Sequence, residues 1–420
     1  MNIQIEPRKL KGQVQVISSK SLSHRYVIAS GLAKGISHIK NVLASDDLNY
    51  TKKALESFGV KFIGDDIYGS VLAYDGKVID CGESGSTLRF MIPISMMQEK
   101  EVVFIGKGKL PTRPLSVYEE LFKDKNVKFE KLGEHELPLK VSGPLQGGVY
   151  HLRGDVSSQF ITGLLFALPL AKEDSEIILI TPLQSKDYVE LTVDVMKSFG
   201  VDVTRLDHGF MIKGNQVYQP QRINIEGDFS QAAFFFVAGL IGDEIRLEGL
   251  NPKSMQGDQK IISILQDMGG SITYDENSQS YISSPSKTYG TTIDLTDTPD
   301  LGPILMVIAA LSIGTTHFKG VSRLRIKESD RLDAMYQALT QMGVHMSISD
   351  DEAWIDGVTS FKGNLRLDGA SDHRIVMALA IASIKADGPI TITKAESISK
   401  SYPTFFDIYH QLGGYTHEVK

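Results

Sequence analysis

A helix-ending phrase recurs along the whole chain, and its near-even spacing restricts the fold more than any single motif does. The clear copies are Ala54-Leu-Glu-Ser-Phe-Gly-Val60, Val195-Met-Lys-Ser-Phe-Gly-Val201, Ile264-Leu-Gln-Asp-Met-Gly-Gly270, Ala338-Leu-Thr-Gln-Met-Gly-Val344 and Ile408-Tyr-His-Gln-Leu-Gly-Gly414. Each places Gly just past a helix end, where left-handed backbone is common and glycine adopts it without a Cβ clash. A degenerate sixth copy, Leu121-Phe-Lys-Asp-Lys-Asn-Val127, puts Asn126 there, the next best residue for that backbone. The markers stand at 59, 126, 200, 269, 343 and 413, giving intervals of 67, 74, 69, 74 and 70 residues. Strand-like alternation follows them, as in Val60-Lys-Phe-Ile and Val344-His-Met-Ser-Ile. Six units of about seventy residues are therefore expected, each mixing strands and helices. The period is too long for a common solenoid, which favours repeated α/β subdomains over a rod.

A chain of 420 residues is long for one hydrophobic core, so two domains are expected. Apolar residues make up 42% and charged residues 23%, as in ordinary globular proteins. The apolar runs near 160–171 and 303–313 are far short of the roughly 18 to 20 residues of a membrane span. The start, Met-Asn-Ile-Gln-Ile-Glu, lacks the basic and apolar regions of a signal peptide. Cys81 is the one cysteine, which excludes an intrachain disulfide and a multi-cysteine zinc site and fits a reducing cytoplasm. A net charge of −7 argues against broad nucleic-acid binding, so clustered cations must serve a local purpose.

Such a cluster is Arg323-Leu-Arg-Ile-Lys-Glu-Ser-Asp-Arg331. It follows the apolar segment 304–313 and a strand-like stretch, 315–321, and it feeds a helix with apolar Leu332, Met335, Leu339 and Met342. The charges thus fall at a strand-to-helix junction, where free backbone N–H groups also hold anions. A solvated, salt-bridged loop is the plainer alternative.

Other helix starts repeat the theme. Ser18-Ser-Lys-Ser-Leu-Ser-His-Arg25 puts Lys20 and Ser21 in a first helical turn and Arg25 one turn on. Cations oppose the helix dipole there unless an anionic ligand neutralises both. Gly82-Glu-Ser-Gly-Ser-Thr-Leu-Arg89 is a glycine turn into an apolar helix, with Ser86 and Thr87 as caps and Gly85 allowing close backbone approach; it is not a Walker A loop. Lys107-Gly-Lys-Leu-Pro-Thr-Arg-Pro114 is a cationic loop whose Arg113 is held extended by the following proline. Gly154-Asp-Val-Ser-Ser-Gln159 and Gly227-Asp-Phe-Ser-Gln-Ala232 open apolar helices at 160–171 and 233–241. Capping explains part of each, but Ser157, Ser158 and Gln159 together offer more donors than a cap needs. Asp300 precedes the helix at 304–313 as a helix-start carboxylate or a general base. Asp372-His-Arg374 and Ser399-Lys400-Ser-Tyr-Pro403 precede the last two helices. The helix bodies read as apolar all round and so as buried. Polar residues at their starts, gathered at a shared cleft, would trap a substrate with several negative charges.

In this order Ser-Lys-Ser-x-Ser-x-Arg, Gly-Asp-x-Ser-Ser-Gln, Arg-x-Lys-Glu-Ser-Asp-Arg, Asp-His-Arg and Lys-Ser-Tyr-Pro resemble the 5-enolpyruvylshikimate-3-phosphate synthase family, from about residue 10 to the C-terminus. The resemblance implies an α/β fold: a two-domain inside-out α/β barrel of six repeated subdomains, three per domain, with helices buried and sheets outside. Residues 1–18 with 227–420 would form the C-terminal domain and 19–226 the N-terminal one, joined by a two-stranded hinge near 18–20 and 225–228. The implied reaction moves the enolpyruvyl group of phosphoenolpyruvate to the 5-hydroxyl of shikimate 3-phosphate, through a tetrahedral adduct, with release of phosphate. It implies no cofactor or metal; charge and the short apolar runs point to no nucleic acid or membrane partner, and a monomer is the expectation.

By the same resemblance Asp300 takes the hydroxyl proton, and Glu328 protonates the methylene with Lys20 beside it. Lys20, Gly85, Arg113, Gln159, Arg331, Arg374 and Lys400 are similar to phosphoenolpyruvate ligands. Lys20, Ser21, Arg25, Ser157, Ser158, Gln159, Ser185, Tyr188, Asp300 and Lys327 are similar to shikimate 3-phosphate ligands. Glu83, Ser86 and Arg323 depart from the usual Asn, Thr and Asn, so Glu83 and Arg323 take no role, and Glu83 is expected to point away or pair with an arginine. Arg325 and Asp330 read as structural neighbours. Gly85 leaves phosphonate analogues such as glyphosate no steric block, so inhibition is expected. The related transferase acting on UDP-N-acetylglucosamine is the nearest alternative, but the loop 106–114 lacks its usual Cys or Asp. A non-catalytic anion-binding repeat protein is the alternative from another class.

Overall fold

The computed structural model describes residues 1–70 and 72–419. Among them the strands form six four-stranded sheets of one topology. In Gly148–Leu152, Ser175–Leu179, Gly209–Ile212 and Val203–Leu206, the first two strands run parallel, with Tyr150 beside Ile177. The hairpin that follows folds back so that Ile177 faces Phe210 and Phe210 faces Arg205, both antiparallel.

The α-helices are α1 Lys20–Leu32, α2 Asp46–Glu56, α3 Gly85–Ser95, α4 Ser116–Phe122, α5 Ser158–Ala167, α6 Lys186–Ser198, α7 Phe229–Ile241, α8 Ile261–Asp267, α9 Gly302–Ala309, α10 Arg331–Gln341, α11 His373–Ala382 and α12 Phe405–Gln411. Odd-numbered helices lead into the second strand of a sheet, and even-numbered ones join the second strand to the hairpin. The markers of the repeat lie just beyond the even helices. Gly59, Gly200, Gly269, Gly343 and Gly413 have φ of 89, 76, 95, 90 and 92°, the left-handed backbone that a side chain resists. Asn126 corrects the expected pattern, since it is not left-handed. The reason is local: α4 ends early, at Phe122, and the Lys125 amide turns back to the Phe122 carbonyl before Asn126 is reached.

Two compact units arise, Met1–Ser18 with Glu226–Lys420, and Ser19–Ile225. In the first, Asn2–Glu6 lies between Ile390–Thr393 and Tyr415–Val419, and Gly12–Gln15 runs parallel to Ile245–Glu248. In the second, Arg222–Asn224 runs parallel to Ile36–Lys40, so each unit completes its sheets with strands from its own ends. Ser18 and Gly227, next to the two places where the chain passes between units, form an antiparallel bridge.

The odd helices are buried as their composition demands: every residue of α7, α9 and α11 is buried. Truncating a fully buried phenylalanine such as Phe235 would cost about 3–5 kcal/mol. The expectation of helices apolar on every face fails for the even-numbered helices, which bury one side only, as α10 buries Leu332, Met335, Ala338 and Leu339, and for α1, which buries Ser23, His24 and Arg25. Those groups persist inside because each finds hydrogen-bonding partners on neighbouring elements. Among the described residues no helix is long and apolar enough to cross a membrane.

Candidate active site

In the unit containing residues 226–420, three helix starts carry one dense charge cluster. Arg331 is the first residue of α10, behind the N-cap Asp330, and only 1% of its side chain is exposed. Its Nε donates to Asp372 Oδ2 at 2.8 Å, Nη1 to Asp300 Oδ1 at 2.9 Å and Nη2 to Glu328 Oε2 at 2.6 Å. Asp372 is the N-cap of α11 and also accepts from the Arg374 amide at 2.9 Å, so the helix dipole favours its charge. Arg374 donates through Nη2 to Asp300 Oδ2 at 2.9 Å and to Ser230 Oγ at 3.0 Å; Ser230 sits in the first turn of α7 and donates to the N-cap Asp228. Lys327 Nζ stands 3.7 Å from Asp300 Oδ1. Lys400 Nζ donates to the Ser371 carbonyl at 2.8 Å.

These neighbours set the protonation states. Burial alone would raise the Asp300 pKa, but Arg374, Lys327 and Arg331 outweigh burial and the opposing Glu328, and hold the carboxyl well below the usual range. Burial pushes the Lys327 ammonium down to about 8, against the pull of Asp300. Arg331 is raised despite burial because Asp372, Glu328 and Asp300 surround it. Asp300, Lys327 and Glu328 keep 23, 21 and 22% of their side chains exposed, while Arg331 and Arg374 keep 1 and 2%. Reachable acids and bases thus rest on a buried cationic base.

In the unit 19–225 the helix starts are arranged differently. Ser19 caps α1, and Lys20 Nζ lies 3.3 Å from Asp47 Oδ2 in the first turn of α2. Arg25 is buried, with Nε donating to Thr192 Oγ1 at 2.9 Å and Nη1 and Nη2 to the Ser21 and Tyr188 carbonyls at 2.8 Å each. Burial lowers its pKa to about 10, which Tyr188 only partly opposes. Ser84, and neither Ser86 nor Thr87 as the sequence suggested, caps α3, because the helix begins at Gly85. A Cβ at Gly85 would come within 2.7 Å of Arg113 Nη1, so glycine admits that guanidinium. Ser157 caps α5, Ser158 opens it, and Gln159 Nε2 donates to Ser86 Oγ at 2.9 Å. Ser185 has φ of +53° at the start of α6, where its carbonyl accepts from the Tyr188 amide at 3.1 Å. Glu83 lies against the turn at Gly108 and adds to the raised pKa of Lys107, chiefly due to Tyr50.

The sequence reading missed the residues that hold this set in place. Asp372 appeared there only as part of a motif, yet it anchors Arg331 from 41 residues away. Asp47, Thr192 and Arg89, whose Nη1 donates to Gln159 Oε1 at 2.7 Å, were not singled out. Asp47 and Thr192 lie on amphipathic helices with no local mark beyond their type. Arg323, which took no role, is buried and donates to the Thr296 carbonyl at 3.4 Å. Arg325 and Asp330 pair with each other at 3.2 Å. Among the described residues no group of three or more His, Cys, Asp or Glu is arranged to hold a metal ion.

The family model of EPSP synthase (3-phosphoshikimate 1-carboxyvinyltransferase) matches residues 5–409. The chain is 44% identical to the 3-phosphoshikimate 1-carboxyvinyltransferase of Clostridium novyi, covering 98% of each, and 45% identical to that of Clostridium kluyveri, covering 98% of this chain and 97% of the other. It resembles the solved structure of EPSP synthase from Acinetobacter baumannii with a TM-score of 0.80 at 26% identity, over 99% of this chain and all of that one.

Proposed function

We propose a division of labour for a chain that belongs to the EPSP synthase family and is a 3-phosphoshikimate 1-carboxyvinyltransferase. The reaction moves the enolpyruvyl group of phosphoenolpyruvate to the 5-hydroxyl of shikimate 3-phosphate. The matches do not favour the alternative of a UDP-N-acetylglucosamine transferase. In the division proposed, the unit 19–225 holds shikimate 3-phosphate, through Lys20, Ser21, Arg25, Ser157, Ser158, Gln159, Ser185 and Tyr188. Asp300 and Lys327 are assigned to the same substrate. Phosphoenolpyruvate is held by Arg331, Arg374 and Lys400, with Lys20, Gly85, Arg113 and Gln159.

Glu328 gives a proton to the methylene carbon, which makes the neighbouring carbon electrophilic. The 5-hydroxyl oxygen bonds to that carbon and its proton passes to Asp300, forming the tetrahedral adduct. Glu328, ionised by the first step, takes a methyl proton back as the C–O bond to phosphate breaks, which restores the alkene, and the proton held by Asp300 leaves with the phosphate. Asp300 is a weak base while three cations face it. Anionic substrates that draw Lys327 and Arg374 to themselves raise the proton affinity of Asp300 at the moment a base is needed.

The observation that carries this reading is the sharing of Arg331 by Asp300, Glu328 and Asp372, which sets two partly exposed carboxylates on one buried cation. The test is phosphate release from the two substrates by purified protein. No release from folded protein supplied with both would overturn the reading. We further propose a cytoplasmic enzyme that acts as a monomer, for which light scattering should give the mass of a single chain.

A further inference from the structure

His24 lies inside the motif that supplies Lys20, Ser21 and Arg25, yet the reaction described above does not use it. It is 1% exposed. Its Nδ1 lies 2.9 Å from Thr51 Oγ1 on α2, and its Nε2 has no partner among the described residues. The Phe90 ring stands edge-on beside the imidazole, 6.3 Å between centroids.

Proton accounting fixes the state of this ring. An imidazolium would bury a charge next to Lys20 and Arg25 and would orphan a second N–H. Burial, reinforced by those two cations, keeps the ring neutral. A buried N–H without a partner is costlier than a lone pair without one. The proton therefore sits on Nδ1 and is donated to Thr51, and the bare lone pair of Nε2 faces the interior.

From Thr51 a chain of hydroxyls continues. Thr51 Oγ1 is 2.7 Å from Thr87 Oγ1, and Thr87 Oγ1 is 2.7 Å from Ser84 Oγ. Both threonine hydroxyls also approach the Asp47 carbonyl, at 3.3 Å each. Asp47 carries the carboxylate 3.3 Å from Lys20 Nζ, one turn before His24 on α1. Ser84 is the N-cap of α3, directly before Gly85 and Ser86. The imidazole and three hydroxyls so tie together the N-terminal halves of α1, α2 and α3.

We propose that His24 is a positioning residue for carboxyvinyl transfer: through Thr51 and Thr87 it fixes Lys20 against the Gly85–Ser86 backbone, and so sets the register in which phosphoenolpyruvate is held. The proposal rests on the roles assigned above to Lys20 and Gly85. Hydrogen-bonding hydroxyls give a sharper register than apolar packing, because a displacement of a few tenths of an ångström weakens them.

The test compares four variants by kinetics and thermal midpoint. His24→Leu removes the donor and Thr51→Val removes the acceptor. Each should raise KM for phosphoenolpyruvate or lower kcat by about tenfold, as displacement of a positioned group does. KM for shikimate 3-phosphate, which Lys20 also contacts, should change less than about threefold, since Arg25 is held independently through Thr192. The double variant should be no worse than the worse single one, as expected of two ends of one interaction. His24→Asn sheds as much packing as leucine or more but places an amide N–H near Nδ1, so its kinetics should stay near wild type although its midpoint falls. Lys20→Met is the control for the underlying roles. If it abolishes turnover while Thr51→Val changes nothing, the positioning proposal is overturned alone. If Lys20→Met itself turns over normally, the role of Lys20 falls and the proposal with it. Kinetic losses that follow the thermal midpoint across all variants, His24→Asn included, would reduce His24 to a packing residue and overturn the proposal.

Discussion

Arg25 and Arg331 are both buried arginines near helix starts, and they are held in opposite ways. Arg331 spends its donors on three carboxylates, Asp372, Asp300 and Glu328. Arg25 gives its donors to a threonine hydroxyl and two backbone carbonyls. Their proton affinities diverge accordingly: Arg331 is raised above an ordinary arginine in spite of burial, whereas burial draws Arg25 down to about 10. Neutral acceptors satisfy hydrogen bonds without cancelling charge. The neighbourhood of Arg25 therefore stays cationic and suits an anion, while that of Arg331 is largely self-neutralised and offers carboxylates that can move protons.

The heaviest load on this contrast comes from Asp372→Ala. It leaves the buried Arg331 without its innermost partner, and a stability loss of about 3–5 kcal/mol is expected from the denaturation midpoint. A loss no greater than that of Thr192→Val would break the contrast. Glu328→Gln should leave the folding midpoint and substrate binding nearly unchanged and lower kcat by about a hundredfold, read as phosphate release. Unchanged turnover would remove Glu328 as the proton donor.

A third outcome concerns pH. Lysine is charged below its pKa, and that of Lys327 is lowered to about 8 in the free protein. The value of kcat/KM for shikimate 3-phosphate should therefore decline above that pH. The decline in kcat should begin higher, since a bound dianion favours the ammonium. A profile flat across about pH 7 to 9 would show that the Lys327 charge plays no part. The smallest effect is expected of Thr192→Val, which removes one neutral acceptor from Arg25 and should cost about 1 kcal/mol of stability.

The repeat was legible in the sequence because its marker is a local steric demand. A glycine past a helix end is chosen by its own backbone, so five of six markers have the predicted conformation. The sixth failed where α4 stops short, at Phe122, and the Lys125 amide closes onto the Phe122 carbonyl before Asn126 is reached. The apolar bodies of α7, α9 and α11 were legible for a similar reason, since a segment apolar on all faces has nowhere to go but inside. The cap of α3 was misread by two to three positions because Ser84, Ser86 and Thr87 are chemically alike, and only the observed start at Gly85 separates them.

The sequence by itself determined six α/β units, the burial of α7, α9 and α11 and the collection of charged and hydroxyl side chains at helix starts, all properties of neighbouring residues. Only the tertiary structure decided which charge answers which: Asp372 for Arg331 across 41 residues, Asp300 for Arg374 across 74, Thr192 for Arg25 across 167, and Thr51 for the buried His24 across 27. Proton affinities depend on distances of a few ångströms between such partners, and those distances exist only once the units have folded.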